Sequence, residues 1–213
     1  MNKNSKIALV TGGSRGLGKN SAIALSKKGI DVIITYNQQK EKADLVVRKI
    51  EKNGCKAVAM QLDVSNVSSF DSFASKLSDV LKENWNQDHF DFLINNAGFG
   101  INAAFVDTTE EQFDSLINIH FKGVFFLTQK LTGFLADNGA IINFSTGLAR
   151  FTHEGYSVYG AVKGAIEVLT KYMAKEMGSR GIRVNVIAPG PINTDFFGTS
   201  LIDYPEIKTA LGS

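Results

Sequence analysis

Short apolar runs alternate along the chain with longer stretches in which apolar residues recur every three or four positions. The first run, Ile7–Val10, predicts a short buried strand. Further strand-like runs fall at 32–36, 56–62, 90–94, 140–144 and 184–187. Between them the spacing predicts helices. Ala22, Ile23 and Leu25 continue a helical pattern to Lys28, and Leu45, Val46 and Ile50 share one face of 40–52. Val67, Phe70, Phe73, Leu77 and Val80 mark a helix over 66–82. A long helix is predicted over 110–134. Another is predicted over 156–177, with Val158, Val162, Ile166, Leu169 and Met173 on its apolar side. Strands alternating with helices imply right-handed crossovers and an α/β fold. The expected architecture is one doubly wound parallel sheet, order 3-2-1-4-5-6, with helices on both faces. No repeat, low-complexity segment or linker interrupts the alternation, so 1–213 is expected to form a single domain.

Composition narrows the partners. The 213 residues are 44% hydrophobic and 21% charged, ordinary for a globular chain that buries a core. A net charge of +2 without a basic run gives no reason to expect nucleic acid. The single cysteine, Cys55, excludes an internal disulfide and fits a reducing compartment. Residues 1–6 are polar and lead directly into the first strand, without a signal-peptide pattern. No apolar run approaches the ~20 residues that span a bilayer. A cytoplasmic protein without a membrane partner is expected.

The first strand runs into Thr11-Gly12-Gly13-Ser14-Arg15-Gly16-Leu17-Gly18 and then into a helix. A glycine-rich turn at a helix N-terminus suits an anion, because unpaired N–H groups and the positive end of the helix dipole face it. Three readings compete. Gly12, Gly16 and Gly18 are spaced G-x-x-x-G-x-G, unlike the common dinucleotide fingerprint G-x-G-x-x-G. Gly13, Gly18 and Lys19 match part of a triphosphate loop, but Asn20 stands where the magnesium-binding hydroxyl belongs. The third is a tight turn without ligand, its glycines needed for steric reasons alone. Tyr36 and Asn37 follow the second strand, where a dinucleotide fold places its ribose reader. An acid there would favour NAD. None is present, and Arg15 either meets a 2′-phosphate through a charge-assisted bond or is a solvated turn residue. Asp63, after the third strand, taken alone reads as a helix cap close to Asn66.

Tyr159 and Lys163 lie at i and i+4, on one helical face. A phenol with a pKa near ~10 is a poor proton donor at neutral pH, and a neighbouring ammonium favours the phenolate. Such a pair is suited to give a proton to a carbonyl oxygen or to take one from an alcohol. The same spacing also occurs on plain surface helices. His89, His120 and His153 are far apart, and His153-Glu154 is not followed by a histidine four residues on, so no metal site is expected.

Taken together, T-G-x-x-x-G-x-G, Asp63-Val64, Asn95-Asn96-Ala97-Gly98, Asn143-Phe144-Ser145-Thr146, Tyr159-x-x-x-Lys163 and Pro189-Gly190 resemble the short-chain dehydrogenase/reductase family, in its order and across essentially the whole chain. The resemblance implies a Rossmann-type dinucleotide-binding domain and a nicotinamide-dependent oxidoreductase that interconverts a carbonyl and an alcohol. It implies Tyr159 as acid/base, with Lys163 binding the nicotinamide ribose and tuning Tyr159. It also implies cofactor contacts from Gly12, Ser14, Arg15, Gly16, Leu17 and Gly18 in the turn. Tyr36, Asp63 (to the adenine amino group), Val64, Asn96, Ala97 and Gly98 follow. Pro189, Gly190, Ile192 and Thr194 (to the carboxamide) complete the set. In that pattern Asn95 stabilises the central sheet. With Arg15 present and no acid at Tyr36, the cofactor expected is NADP, with NAD as the alternative.

Three features depart from the family. Thr146 stands at the serine position, thirteen residues before Tyr159, with Ser145 beside it. Its hydroxyl can still bond a substrate oxygen, while its methyl restricts χ1. His120 stands at the family asparagine, where it either holds a relay water or packs as a neutral side chain. Asn118, two residues away along a helix, points elsewhere. Beyond Pro189-Gly190 the family carries a substrate lid, a further helix and a last strand. Here 195–204 reads as the start of a lid and the sequence stops at Ser213. Residues 189–213 are therefore expected to be an incomplete lid, with the last sheet strand missing. The expected partners are a small carbonyl or alcohol, in a pocket made partly apolar by 148–156, Phe196 and Phe197, and further copies of the chain. A homodimer or tetramer through the 110–134 and 156–177 helices is expected, with added association through the free edge of 184–187, read as buried on both faces. The alternative reading is a nucleotide-binding protein with little or no turnover, favoured by His120, Thr146 and the short end.

Overall fold

All four side chains of β1 (Ile7–Val10) are fully buried. A strand reaches that state when it is paired on both edges and covered on both faces. In the computed structural model, which describes residues 5–192, β1 pairs in parallel with β2 (Asp31–Tyr36) on one side and with β4 (Phe90–Asn95) on the other. β3 (Ala57–Gln61) extends the first side, and β5 (Leu135–Phe144) and β6 (Arg183–Ile187) extend the second. The sheet order is β3-β2-β1-β4-β5-β6, as the alternation predicts. Its direction of winding reverses between β1 and β4, so a crevice opens at the carboxyl ends of these two strands.

Alternate residues of β1 feed two cores. Ala8 and Val10 pack with α1 (Gly16–Ser26) and α2 (Lys40–Glu51), which contribute Ala22, Ala43, Val46 and Ile50. Ile7 and Leu9 join the other core. There α3 (Phe70–Trp85) supplies Phe70, Phe73, Leu77 and Leu81 at helical spacing.

The predicted 110–134 helix is built in pieces. α4 (Glu110–Ile117) starts from a capping box between Thr109 and Gln112. A π-helical turn, Asn118–Gly123, follows, then α5 (Val124–Leu131) and a 3₁₀ turn, Thr132–Phe134. Gly123 presses so closely on the Val64 carbonyl that a Cβ would collide with it. Apolar spacing does not reveal such a turn, because the residues on either side keep their own helical patterns. Leu127 and Leu131 of α5 and Met173 of α6 (Ser157–Glu176) complete the second core.

β6 corrects another expectation. Val184 is buried, but Arg183, Asn185 and Ile187 are exposed, so this strand is covered on one face only. Among the described residues it is one edge of the sheet, β3 being the other. Thr194, the lid segment with Phe196 and Phe197, and the rest of the C-terminal segment lie outside the described residues.

Candidate active site

The carboxyl ends of the strands surround a cleft of about 360 Å³. At one end is the glycine turn. Thr11, buried at the end of β1, accepts from the backbone N–H groups of Asn96 (2.9 Å) and Ala97 (3.0 Å) through Oγ1, which also lies 3.3 Å from the Ile94 carbonyl. Thr35 accepts from Gly12 N–H at 3.2 Å. The turn is thus fastened to β4 and β2. Asn96 spends its side-chain amide on this fastening, donating to the carbonyls of Thr11 (2.9 Å) and Gly12 (3.3 Å). Gly12 turns at φ +65°, and a Cβ on Gly18 would come within 2.5 Å of the Gly12 carbonyl oxygen and meet Asn96 Nδ2. Arg15 is exposed at the N-cap of α1, and no side chain caps that helix. The first-turn N–H groups therefore face the cleft rather than a capping hydroxyl.

Along the β2–β3 wall lie Tyr36, Asn37, Gln38, Asp63 and Val64. Asp63 is no helix cap. Its Oδ1 accepts from Ser65 N–H (2.9 Å) and Ser65 Oγ (2.7 Å), which fixes a local turn while the residue still lines the cleft. Ser14, Gly16, Leu17, Ala97 and Gly98 line the same space, as do Pro189, Gly190 and Ile192 on the opposite side.

The other end of the cleft is buried. Tyr159 and Lys163 of α6, Ser145 at the end of β5 and His120 in the π turn are all buried. Lys163 Nζ donates to the Phe144 carbonyl at 2.8 Å and lies 5.7 Å from the centre of the Tyr159 ring. Burial pushes its ammonium down to about 7. The Tyr159 phenol is pushed above its ordinary value, chiefly by burial and then by Tyr156, one helical turn before it. A hydrogen bond with the Thr146 hydroxyl works in the opposite direction. The i, i+4 spacing alone led to the expectation that Lys163 would lower the phenol. In the folded chain the shift runs the other way, with burial its largest cause.

The two neighbouring hydroxyls point apart, as successive residues in an extended chain do. Thr146 reaches Tyr159, whereas Ser145 Oγ is 2.9 Å from Glu167 Oε1 and 3.3 Å from the Lys163 carbonyl. Beneath them, buried Asn95 donates to Thr128 Oγ1 (3.0 Å) and Asn143 Oδ1 (2.9 Å). Asn143 in turn donates to Thr170 Oγ1 at 2.9 Å. This buried chain of polar groups ties β4, β5, α5 and α6 together and is satisfied at every link.

His120 is a packed, neutral side chain. Burial first, then the Lys163 charge, hold its pKa down at about 3, against the opposing pull of the Phe99 carbonyl. Nε2 lies 2.7 Å from that carbonyl, which can only accept, so the proton is assigned to Nε2 and Nδ1 is left as an acceptor. Among the described residues Nδ1 is the buried side-chain polar atom without a hydrogen-bond partner. The ring stands nearly perpendicular to that of Tyr159, with centres 5.2 Å apart, and fills the space where a Gly98 Cβ would lie.

Sequence reasoning did not single out the Thr11 and Thr35 hydroxyls, Tyr156, Glu167 or the Phe99 and Phe144 carbonyls. Thr11 stands within the T-G-x-x-x-G-x-G signature, so a signal was there to read. The carbonyls carry none.

The cleft fits a dinucleotide. It runs from an uncapped helix N-terminus, suited to a pyrophosphate, to a buried phenol and ammonium, with a glycine-lined floor between. The short chain dehydrogenase family profile matches residues 6–204. A 3-oxoacyl-[acyl-carrier-protein] reductase of Synechocystis sp. is 35% identical over 193 residues, which is 90% of this chain and 76% of that protein. Among solved structures, a short chain dehydrogenase of Burkholderia cenocepacia in complex with NADP superposes with a TM-score of 0.83. It is 33% identical over 92% of this chain and 78% of its own. The angucycline C-6 ketoreductase LanV with bound NADP gives 0.89 at 34% identity, over 98% of this chain and 80% of its own. Profile, sequence and fold agree along the same residues, and the chain belongs to the short-chain dehydrogenase/reductase family of NAD(P)-dependent oxidoreductases.

Proposed function

We propose that the protein is an NADP(H)-preferring reductase of a small carbonyl compound, working in reverse as an alcohol dehydrogenase. The observation that carries this reading is the buried Tyr159 phenol, with Thr146 and Lys163 beside it, at the closed end of a cleft whose open end is an anion-binding turn. When bound, the nicotinamide cofactor supplies or accepts the hydride. Gly12–Gly18 and Asp63 would hold its nucleotide part, and Lys163, Pro189 and Ile192 would meet the part nearest Tyr159.

Burial keeps Tyr159 protonated at neutral pH, so the phenol is a donor waiting for an oxygen that gains negative charge. Thr146 supplies a second hydroxyl at the same place, and a water-poor site strengthens both bonds as charge develops. Lys163, held near neutrality, carries its positive charge beside the phenol when protonated and so eases loss of the phenolic proton. His120, with its one donor spent on Phe99, braces the Tyr159 ring from the side.

The preference for NADP(H) rests on exposed Arg15 at the turn and on a β2 end that offers Tyr36, Asn37 and Gln38 but no acid. NADP in two similar structures and the reductase names of the relatives agree with it. Exposed Phe113, Phe125 and Phe126 of α4–α5 and Val168 and Tyr172 of α6 support a homodimer through these helices. A cytoplasmic setting agrees with the single, unpaired Cys55.

The test follows NADPH oxidation against a panel of small ketones, aldehydes and 3-oxo esters. Wild type is expected to turn over, and Tyr159→Phe to lose roughly 10²–10⁴-fold in kcat with NADPH affinity kept. Arg15→Ala is expected to weaken NADPH about tenfold and leave NADH unchanged, the size of one charge-assisted bond. Equal binding of the two cofactors by wild type refutes the preference. NADPH binding without turnover of any compound would favour the nucleotide-binding alternative.

A further inference from the structure

Tyr159, Lys163 and Glu167 succeed one another at intervals of four on α6, so a phenol, an ammonium and a carboxylate form one stripe on the helix face that meets the end of β5. The strand answers residue by residue. Asn143 donates to Thr170 Oγ1, the Phe144 carbonyl accepts from Lys163 Nζ, Ser145 Oγ bonds Glu167, and Thr146 bonds Tyr159. Four consecutive residues, the last two of β5 and the two that follow it, thus each hold one rung of a ladder to the helix.

The Ser145 rung differs from the others. Ser145 is 4% exposed, and its hydroxyl has a single proton facing two acceptors on α6, the Lys163 carbonyl (3.3 Å) and Glu167 Oε1 (2.9 Å). Its backbone N–H is fixed to the Ile187 carbonyl at 2.7 Å, so the residue is anchored to β6 before it reaches the helix. A hydroxyl–carboxylate bond is directional, and this one ends one helical turn from Lys163. Sliding α6 along its axis by one residue, about 1.5 Å, breaks this bond. It also lifts the ammonium off the Phe144 carbonyl.

We propose that Ser145 and Glu167 are positioning residues: together they set the axial position of α6 against β5, and so the height of Tyr159 and Lys163 in the cleft. This rests on the reading of Tyr159 and Lys163 as the acid/base pair. Neither Ser145 Oγ nor Glu167 touches the substrate, and a displacement of about 1 Å at a reacting group costs on the order of 10²-fold in rate.

The test compares Ser145→Ala, Glu167→Ala, Glu167→Gln and the double alanine variant in two readouts. The first is amide hydrogen exchange of the ligand-free protein across 157–167. Each alanine variant is expected to exchange about tenfold faster there and at wild-type rate in β1 and β2, the factor that one hydrogen bond is worth. Glu167→Gln keeps an accepting oxygen and is expected to restore slow exchange. The double variant is expected to be no faster than the single ones, because one bond is lost in each case. The second readout is NADPH-dependent reduction of ethyl acetoacetate, where kcat is expected to fall about tenfold while KM for NADPH holds within about twofold. Wild-type exchange in Glu167→Ala, or strictly multiplicative effects in the double variant, overturns the proposal. A fully active Tyr159→Phe enzyme overturns the acid/base reading instead, and the exchange experiment still decides whether Ser145 and Glu167 set the position of α6.

Discussion

At the glycine turn the chain offers backbone N–H groups, and the side chains nearby serve to hold that backbone still. At Tyr159 it offers side chains, and the backbone serves to hold them. Thr11, Thr35 and Asn96 spend their polar groups on the frame of the turn, whereas the carbonyls of Phe144 and Phe99 are spent on Lys163 and His120. At the turn the one charged side chain, Arg15, is exposed. The Tyr159 end is closed, and three ionisable groups there are moved from their ordinary values mainly by burial. A binding end can be built from residues that are small. A proton-transferring end needs groups whose charge the fold makes costly.

The sharpest break of this contrast is at Thr146. Thr146→Ala removes the hydroxyl that meets Tyr159 and is expected to lower kcat by about 10²-fold, the size of one lost donor at a developing charge. The neighbouring Ser145→Ala should lose about a tenth of that, because its hydroxyl faces α6. Steady-state rates with NADPH and a responsive ketone rank the two. The reverse ranking would place the wrong hydroxyl in the cleft.

Next in size is Gly18→Ala. The new Cβ meets the Gly12 carbonyl oxygen and Asn96, so the turn must open. A strain of about 1–3 kcal/mol is expected, read as a loss of about fivefold or more in NADPH affinity in calorimetry, with the Tyr159 end unaltered. Unchanged affinity would show that the turn tolerates bulk and that its glycines serve only the fold.

A third test concerns Lys163 and stability. Its pKa of about 7 lies below the ordinary 10.5, so between these values the unfolded chain holds more protons than the folded one. Stability therefore rises with pH across that window. Lys163→Met is expected to flatten the rise. Denaturant midpoints from pH 7 to 10.5 measure it, and an unchanged slope would mean that the ammonium is not penalised by burial.

The sheet order was legible because β1, β2 and the helices between strands carry their periods locally, in four to twenty consecutive residues. The same holds for the residues around the cleft. Gly12–Gly18 and Tyr159–Lys163 are read from spacing, and both ends line one space. What spacing did not disclose depends on groups far apart in the chain. Glu167 gains meaning only when Ser145 arrives from 22 positions away. The downward push on Lys163 and upward push on Tyr159 come from depth of burial, which no pair of letters encodes. The exposed face of β6 was misread for a related reason. Val184, Val186 and Ile187 describe what the strand could bury, whereas coverage depends on what lies across from them.

The π turn at 118–123 has a consequence for how the chain tolerates length changes. A π turn holds one residue more than an α turn, so loss of one residue within it would let 110–131 run as one regular helix. The wide turn already takes up its extra residue as a local bulge, so the faces of α4 and α5 on either side would keep their alignment. What would be lost is the bulge itself, which carries His120 to the Tyr159 ring. A deletion of one residue here is expected to spare the helix and to disturb the site.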